Sequence, residues 1–505
     1  THYVEVATVL EQLLYGVQES SNQIMPASYN GRSIRLGTSG ISDPTEVIDP
    51  NDSNKKSYSP NSYIYFGVNS LDNNKPIKWR VLDANKANDG TTNGMFLLSE
   101  YLLASFIPFN SDKNKGNVYQ GSDAQNWCTT FADNTNNFSD LEKSAMLGVT
   151  KNDDDSGRFF DYYLFGRSYL NINDKMFFLS AKELASYVGN YDRAPEIIAM
   201  DTAQKNGGWW LRSPGNPIDG ITHNNKNAGT IWKDGFVTVN TVDVMSIFRP
   251  RPAFNLNSNN ILFTSPAVNG KFLDGGYVGS ELTSVGTTNN TEWKLTLKDS
   301  SRSNFKASTK VNFARPGEKI TITYSGAKTG SNEYVSAMIV DENGDVLYYG
   351  RIANNNDRGR DTITIPSEMA PGNYTLKVFN EQCKEDYKTD YSSEFVDIPL
   401  TIREKFTEQF KLTRGERYYF DLSEFTIPGV VNPYLPDTSL HYVPFVYTGT
   451  VDAYVLNSAS NHVADSSKQA SETIDPNAQY GYTYDHSLFM ADDQIANNVS
   501  WADLN

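Results

Sequence analysis

Cysteine is nearly absent from this chain of 505 residues: there are two, Cys128 and Cys383, far apart. A disulfide framework of the kind that staples small secreted domains is therefore not expected, and both thiols should be free. Positive charge is also in deficit, with 44 Lys and Arg against 60 Asp and Glu and a net charge of −16. Nucleic-acid binding draws much of its affinity from cations that neutralise phosphates, so this balance, without a long basic run, argues against a nucleic-acid partner. No apolar run reaches the roughly 18 residues of a membrane-spanning helix. Histidine is scarce, with 5 in the chain (His2, His223, His441, His462 and His486), and their spacing matches no H-E-x-x-H or paired-ligand pattern. A G-x-S-x-G elbow and a phosphate-cradling glycine loop are missing as well. No catalytic residue and no metal ligand is assigned, and a non-enzymatic protein is expected.

Aromatic residues, in contrast, make up 12% of the sequence, with 30 Tyr and 26 Phe beside abundant Asn, Gly, Ser and Thr. This composition suits a β- and loop-rich extracellular protein. The length calls for about two to four domains. Thr1 opens the chain without an initiator methionine or apolar leader, so any signal peptide is expected to have been removed or never to have belonged to this sequence.

Residues 1–61 read as an N-terminal helix over 2–19, where Val4, Val6, Val9, Leu10, Leu13 and Leu14 fall mostly on one face, followed by a polar loop or arm. Residues 62–264 alternate short strands with capped helices, an α+β pattern. Ser139 with Glu142, and Ser180 with Glu183, have capping-box spacing, and Leu179 and Leu184 are placed to close a hydrophobic staple. Residues 265–290 form a Gly/Ser/Thr/Asn-rich linker. From 291 to 402 the periodicity becomes two-residue, as in an immunoglobulin-like β-sandwich, with Asn343-Gly344 marking a hairpin. Residues 403–505 form a partial β-rich module. It closes on "NNVSWADLN", where Ser500 and Asp503 resemble a cap and an acidic first turn, with Val499 and Leu504 at staple spacing. A helix of about one turn is marginal in water, so the native polypeptide is expected to continue past Asn505; completion by a neighbouring chain is the alternative.

The ordered series "YIYFGV…PIKWRVLD…MFLLSEYLL…GSDAQNWCTTF…FSDLEKSAML…FFLSAKELA…WWLRSP…AGTIWKDG…RPRPAFNLN", residues 63–257, resembles an uncharacterised domain widespread in secreted and surface proteins of gut Firmicutes. That domain is distantly similar to the formylglycine-generating-enzyme branch of C-type-lectin-like folds. The resemblance implies an α+β lectin-like domain over 62–264, and the 403–505 region is similar to the first half of such a fold. Copper chemistry does not carry over: those enzymes bind the metal through a cysteine pair, and this domain holds Cys128 alone.

"NGGWWLRSPG" (206–215) poses the question of platform or scaffold. Side chains alternate along a strand, so Trp209 and Trp210 should point to opposite faces, with at most one toward the core. Packing is the expected role of the pair, and Arg212, Arg249 and Arg251 are expected to make structural ion pairs or carbonyl contacts. The ligand candidates lie in the next loop, "NPIDGITHNNKNAGTIW" (216–232): His223, Asn224, Asn225 and Asn227, then Trp232. Amides that donate and accept, beside an aromatic ring, suit a sugar or peptide surface. "NDDDSG" (152–157) opens like an EF-hand loop but carries Tyr163 where the closing Glu belongs, which leaves a loosely held surface Ca²⁺ as the alternative to no cofactor. The expectation is an adhesin-like multidomain protein of the bacterial surface or exterior, binding a glycan or a protein. The alternatives are a structural subunit of a homo-oligomeric filament or layer, and an unrecognised extracellular enzyme.

Overall fold

The computed structural model describes residues 33–153, 158–160, 164–165, 168–170, 173–215, 226–268, 270–271, 278–286, 290–384, 386–404, 411–435, 438–451 and 486–499. The helix expected over 2–19, Asp154 and Asp155 of the acidic run, and the helix start at 500–505 lie outside them. One compact unit spans Met25–Lys405, and the described residues from 411 onward belong to a second.

The protein is mostly β and is arranged in several sheets. The expected α+β mixture reduces, among the described residues, to three short α-helices: α1 (Asp123–Asp133), α2 (Asp140–Ala145) and α3 (Ala181–Tyr187). Both expected capping boxes are present. Ser139 caps α2 with Glu142 returning to the cap backbone, and Ser180 and Glu183 do the same for α3. Each box satisfies backbone donors that a helix start leaves open.

In the larger unit one sheet runs through most of the chain. Its strand order is Met176–Phe178, Pro252–Asn257, Gly94–Ser99, Lys75–Asp83, Tyr63–Asn69, Glu292–Lys298, Asp390–Ser392, Gly372–Gln382, Glu333–Val340, Val346–Asn354 and Thr283–Ser284. Glu292–Lys298 is its pivot: Ile261–Pro266 runs antiparallel along one edge, and on the other edge its first half pairs in parallel with Tyr63–Asn69 and its second half with Asp390–Ser392. On one side of this pivot a core forms around Trp79, Phe96, Phe177, Trp209, Trp210 and Phe254. On the other, Ile320, Ile322 and Tyr324 of a three-stranded sheet face Val335, Ala337, Ile339, Leu376 and Val378. The expected hairpin is present: Glu333–Val340 and Val346–Asn354 pair across a turn in which Gly344 takes φ 88° and Asp341 Oδ1 accepts from the Asn343 and Asp345 amides.

The polar stretch expected as a loop or arm instead contains a hairpin, Thr45–Asp49 with Asp52–Ser59. Both its faces are largely exposed, so its sequence carries no apolar alternation to announce the strands.

A second sheet of the larger unit is built around the long strand Asn206–Gly215. It pairs with Asn227–Ile231, Leu164–Phe165, Ala199–Met200 and, in parallel, Phe248–Arg249. Trp209 and Trp210 are both fully buried, which corrects the expectation that at most one would face a core. The strand is covered on both sides, and each indole N–H finds a carbonyl: Trp209 donates to Ile197 at 3.2 Å and Trp210 to Ile107 at 2.8 Å.

The smaller unit holds a three-stranded antiparallel sheet, Arg417–Phe420, Val443–Val451 and His486–Ala491, and a small core around Leu435, Leu440 and Val443.

Candidate functional site

Trp232 follows the strand Asn227–Ile231 and opens the turn into Val237–Thr241. The turn closes on itself: the Trp232 amide donates to the Phe236 carbonyl and the Gly235 amide to the Trp232 carbonyl, both at 2.9 Å. Gly235 has φ 81°, and an added Cβ would lie 3.1 Å from the Arg193 backbone, so glycine is needed for conformation and for space. The Arg193 amide donates to the Gly235 carbonyl at 3.0 Å, its guanidinium lies 4.9 Å from the Phe236 ring centroid, and it pairs with Asp234. Asp192 accepts from the Val237 amide at 3.1 Å. The neighbouring segment thus clamps the hairpin tip.

Beyond the turn, Phe236, Thr238 and Asn240 alternate onto one face. With Trp232, Lys233, Asp234 and Val239 they line an open hollow of 470 Å³. The partly buried Trp232 ring stands edge-on to buried Phe248 at 5.8 Å, which fixes its orientation from below. Asn240 donates through Nδ2 to Thr230 Oγ1 at 3.0 Å and so is held in place. The hollow therefore offers an aromatic surface, an amide oxygen, a hydroxyl and a lysine. Its one carboxylate, Asp234, is engaged by Arg193.

Of the residues singled out in the sequence, Trp232 lines this hollow. Asn227 does not: it pairs with Gly215 and Thr241 at the other end of the strand, and its carbonyl accepts from Asn117 Nδ2 at 2.7 Å. His223, Asn224 and Asn225 lie outside the described residues. Phe236, Thr238 and Asn240 were not singled out, although Asp234-Gly235 between two alternating runs is a hairpin signal that would have brought them beside Trp232.

The arginines are structural, as expected. Arg212 makes a bidentate ion pair with Glu183, both wholly buried, and Lys151 adds a second cation at 3.0 Å. Burial alone would raise the Glu183 carboxyl, but Arg212 and Lys151 override it and hold it well below the usual carboxylate range. Arg249 pairs with Asp201 at 2.9 Å. Arg251 donates to the Ser99 and Ile197 carbonyls at 3.1 and 3.4 Å and lies 4.8 Å from the Trp209 ring centroid.

Cys128 and Cys383 are buried and free. Burial pushes the Cys128 thiol far above its ordinary value and lifts Cys383 to about 12, so neither is a ready thiolate. A cleft of 260 Å³ is lined by Glu142, Asp386, Thr389, Asp390 and Tyr391 among others. Two of its carboxylates, Glu142 and Asp390, are committed to the fold. Glu142 accepts from the Gly67 and Ser139 amides and the Thr389 hydroxyl, and Asp390 is flanked by two lysines.

A family model described as a domain of unknown function (DUF6273) matches residues 92–258, so the hollow lies within that domain. The matched span starts later than the expected 62–264 region and carries no lectin or immunoglobulin assignment. No curated protein matches the chain. Among solved structures, one titled as the sporulation control protein Spo0M from Bacillus subtilis aligns at 13% identity with a TM-score of 0.13. The alignment covers 28% of this chain and 65% of that one, and a likeness so slight carries no argument about fold or function.

Proposed function

We propose that this chain is a non-enzymatic protein of the bacterial surface or exterior, adhesin-like in action, that binds a glycan in the hollow beside Trp232. The observation that carries the reading is the hollow's lining: an aromatic ring held from below, a fixed amide and a hydroxyl, on a hairpin clamped by Arg193 and Asp192. Its volume of 470 Å³ falls within the roughly 300–1,000 Å³ typical of ligand sites. Sugars present C–H faces to aromatic rings and hydroxyls to amides, and a pre-formed site loses little entropy on binding. In this reading the 62–264 region is a lectin-like display domain, and the 291–402 region is an immunoglobulin-like spacer that holds it away from the cell.

The test is a glycan array probed with the whole chain and with Trp232→Ala. Binding to a defined glycan set is expected, and the variant should lose about 2 kcal/mol, roughly 30-fold in Kd, if Trp232 is the central contact. Unaltered binding by the variant would move the site elsewhere. A silent array together with capture of a purified host protein would replace the glycan with a protein ligand.

A further inference from the structure

The core of the larger unit buries an arrangement of charge that the binding function does not use. Lys271 follows the strand Ile261–Pro266, and its Nζ lies 2.7 Å from Asp390 Oδ2 and 2.9 Å from Glu381 Oε2. Asp390 opens the strand Asp390–Ser392, and Glu381 stands near the end of the adjoining strand Gly372–Gln382. All three residues are buried, and Nζ sits 4.7 Å from the Phe263 ring centroid. The Lys271–Asp390 contact is not an ordinary hydrogen bond. Asp390 Oδ2 is wholly buried and receives no properly directed donor, although the amine nitrogen is 2.7 Å away. Nζ spends its aligned hydrogen bonds on Glu381 and on Thr296 Oγ1, each at 2.9 Å. A second lysine, Lys294, holds the other oxygen of the same carboxyl group, with Nζ 2.9 Å from Asp390 Oδ1.

We propose that Lys271 and Asp390 are joined by an intramolecular amide bond, formed inside the folded protein with Glu381 relaying the protons. The groups fill every role that condensation requires. The Lys271 ammonium gives one proton to Glu381, which passes it to the Asp390 carboxylate and makes that group a neutral acid. The freed amine lone pair attacks Asp390 Cγ. Lys294 beside Oδ1 stabilises the negative charge that gathers on that oxygen in the tetrahedral intermediate. Glu381 takes a second proton from the nitrogen and delivers it to the oxygen derived from Oδ2. The C–O bond breaks with its electron pair on oxygen, and one water leaves. Glu381 ends as the carboxylate it was at the start, so the step needs no cofactor and no energy source.

Two physical arguments favour the product. Holding amine and carboxyl in contact replaces a bimolecular encounter with an intramolecular one, a large gain in effective concentration. Condensation also converts a buried ion pair, costly to desolvate, into a neutral amide. The ground state is charged. Burial would lower the Lys271 ammonium, but Asp390 and Glu381 hold it above its ordinary value, and Lys271 keeps Glu381 low against burial that would raise it. Proton transfer to Glu381 is therefore the step that gates the reaction. Lys294 is not the nucleophile: its other carboxylate partner is Asp386 at 3.6 Å, one-third exposed, so it lacks a dry relay. In a chain whose two cysteines stay free, the bond would tie the segment around residue 271 to the middle of the largest sheet.

Intact-mass spectrometry of the folded, then denatured, whole chain decides the matter. The expected mass is lower than the sequence mass by one water, and fragmentation of a protease digest should yield a branched peptide linking Lys271 to Asp390. Asp390→Ala and Lys271→Arg should both restore the full mass, and Glu381→Gln should abolish the loss or slow it at least tenfold with both partners still present. If those variants fail to fold, the wild-type measurement stands alone: a folded wild-type chain at full sequence mass overturns the proposal. So does a water loss that maps to Lys294, or to a cyclised Asp side chain.

Discussion

Arg251 shows how much of this core's polarity is spent on carbonyl oxygens. It reaches Ser99 and Ile197 and covers the Trp209 ring, while lining no part of the Trp232 hollow. Arg251→Ala takes this donor from the Ser99 carbonyl and the cover from the Trp209 ring, while Ile197 keeps the Trp209 indole, at a cost of about 1–3 kcal/mol. The melting temperature should fall while glycan binding below it is retained; lost binding at an unchanged melting temperature would make Arg251 a ligand contact. Glu183 makes a pH-dependent case. Its folded carboxyl is held low by Arg212 and Lys151 against the raising effect of burial. Such a group contributes fully above its unfolded pKa of about 4.3, and the contribution is lost as pH falls from there toward the folded value. Glu183→Gln should cost about 3–5 kcal/mol at neutral pH by leaving Arg212 uncompensated. In urea titrations the gap from wild type should narrow by about 1.4 kcal/mol per pH unit below about pH 4; a gap unchanged down to pH 3 would contradict this. At this scale the sequence was informative where a residue's neighbours are local. The structural role of the arginines could be read from the apolar strands around them. The burial of both tryptophans could not, because alternation assigns faces but does not say that both faces are covered.

Elements were legible where their signals are short-range. The two capping boxes and the Asn343-Gly344 hairpin satisfy hydrogen bonds within a few residues, so sequence spacing suffices. The parallel joins at the two halves of Glu292–Lys298 were not, since a parallel partner can lie anywhere in the chain. Gly67 is where local strain meets a distant contact. It sits at φ 70° where the register of Tyr63–Asn69 shifts against Lys75–Asp83, and its amide donates to Glu142 of α2 at 3.1 Å. A Cβ there would lie 2.2 Å from the Phe138 ring. Gly67→Ala is expected to lose about 2–4 kcal/mol, combining the left-handed backbone with overpacking. Chemical denaturation checks it, and a loss below about 0.5 kcal/mol would mean that the bulge relaxes freely.

At the scale of the molecule, one sheet carries the chain from the aromatic core to the two-sheet core through a single pivot strand, while a separate sheet presents the Trp232 hairpin. The candidate site was half legible. The sequence pointed to Trp232 but drew the site as a loop tip, whereas the hollow extends along the strand that follows, and Asn227 belongs to the far end of the hairpin. In the proposed reading a glycan binds at this one ring. The direct measurement is a titration of the indole N–H resonances of all 7 tryptophans with an array-selected glycan, the Trp232 signal being assigned by its loss in Trp232→Phe. A saturable shift of the Trp232 resonance is expected, with Trp79, Trp209, Trp210 and Trp293 unmoved. A saturable shift confined to other tryptophans, or bound glycan with the Trp232 signal stationary, would contradict it.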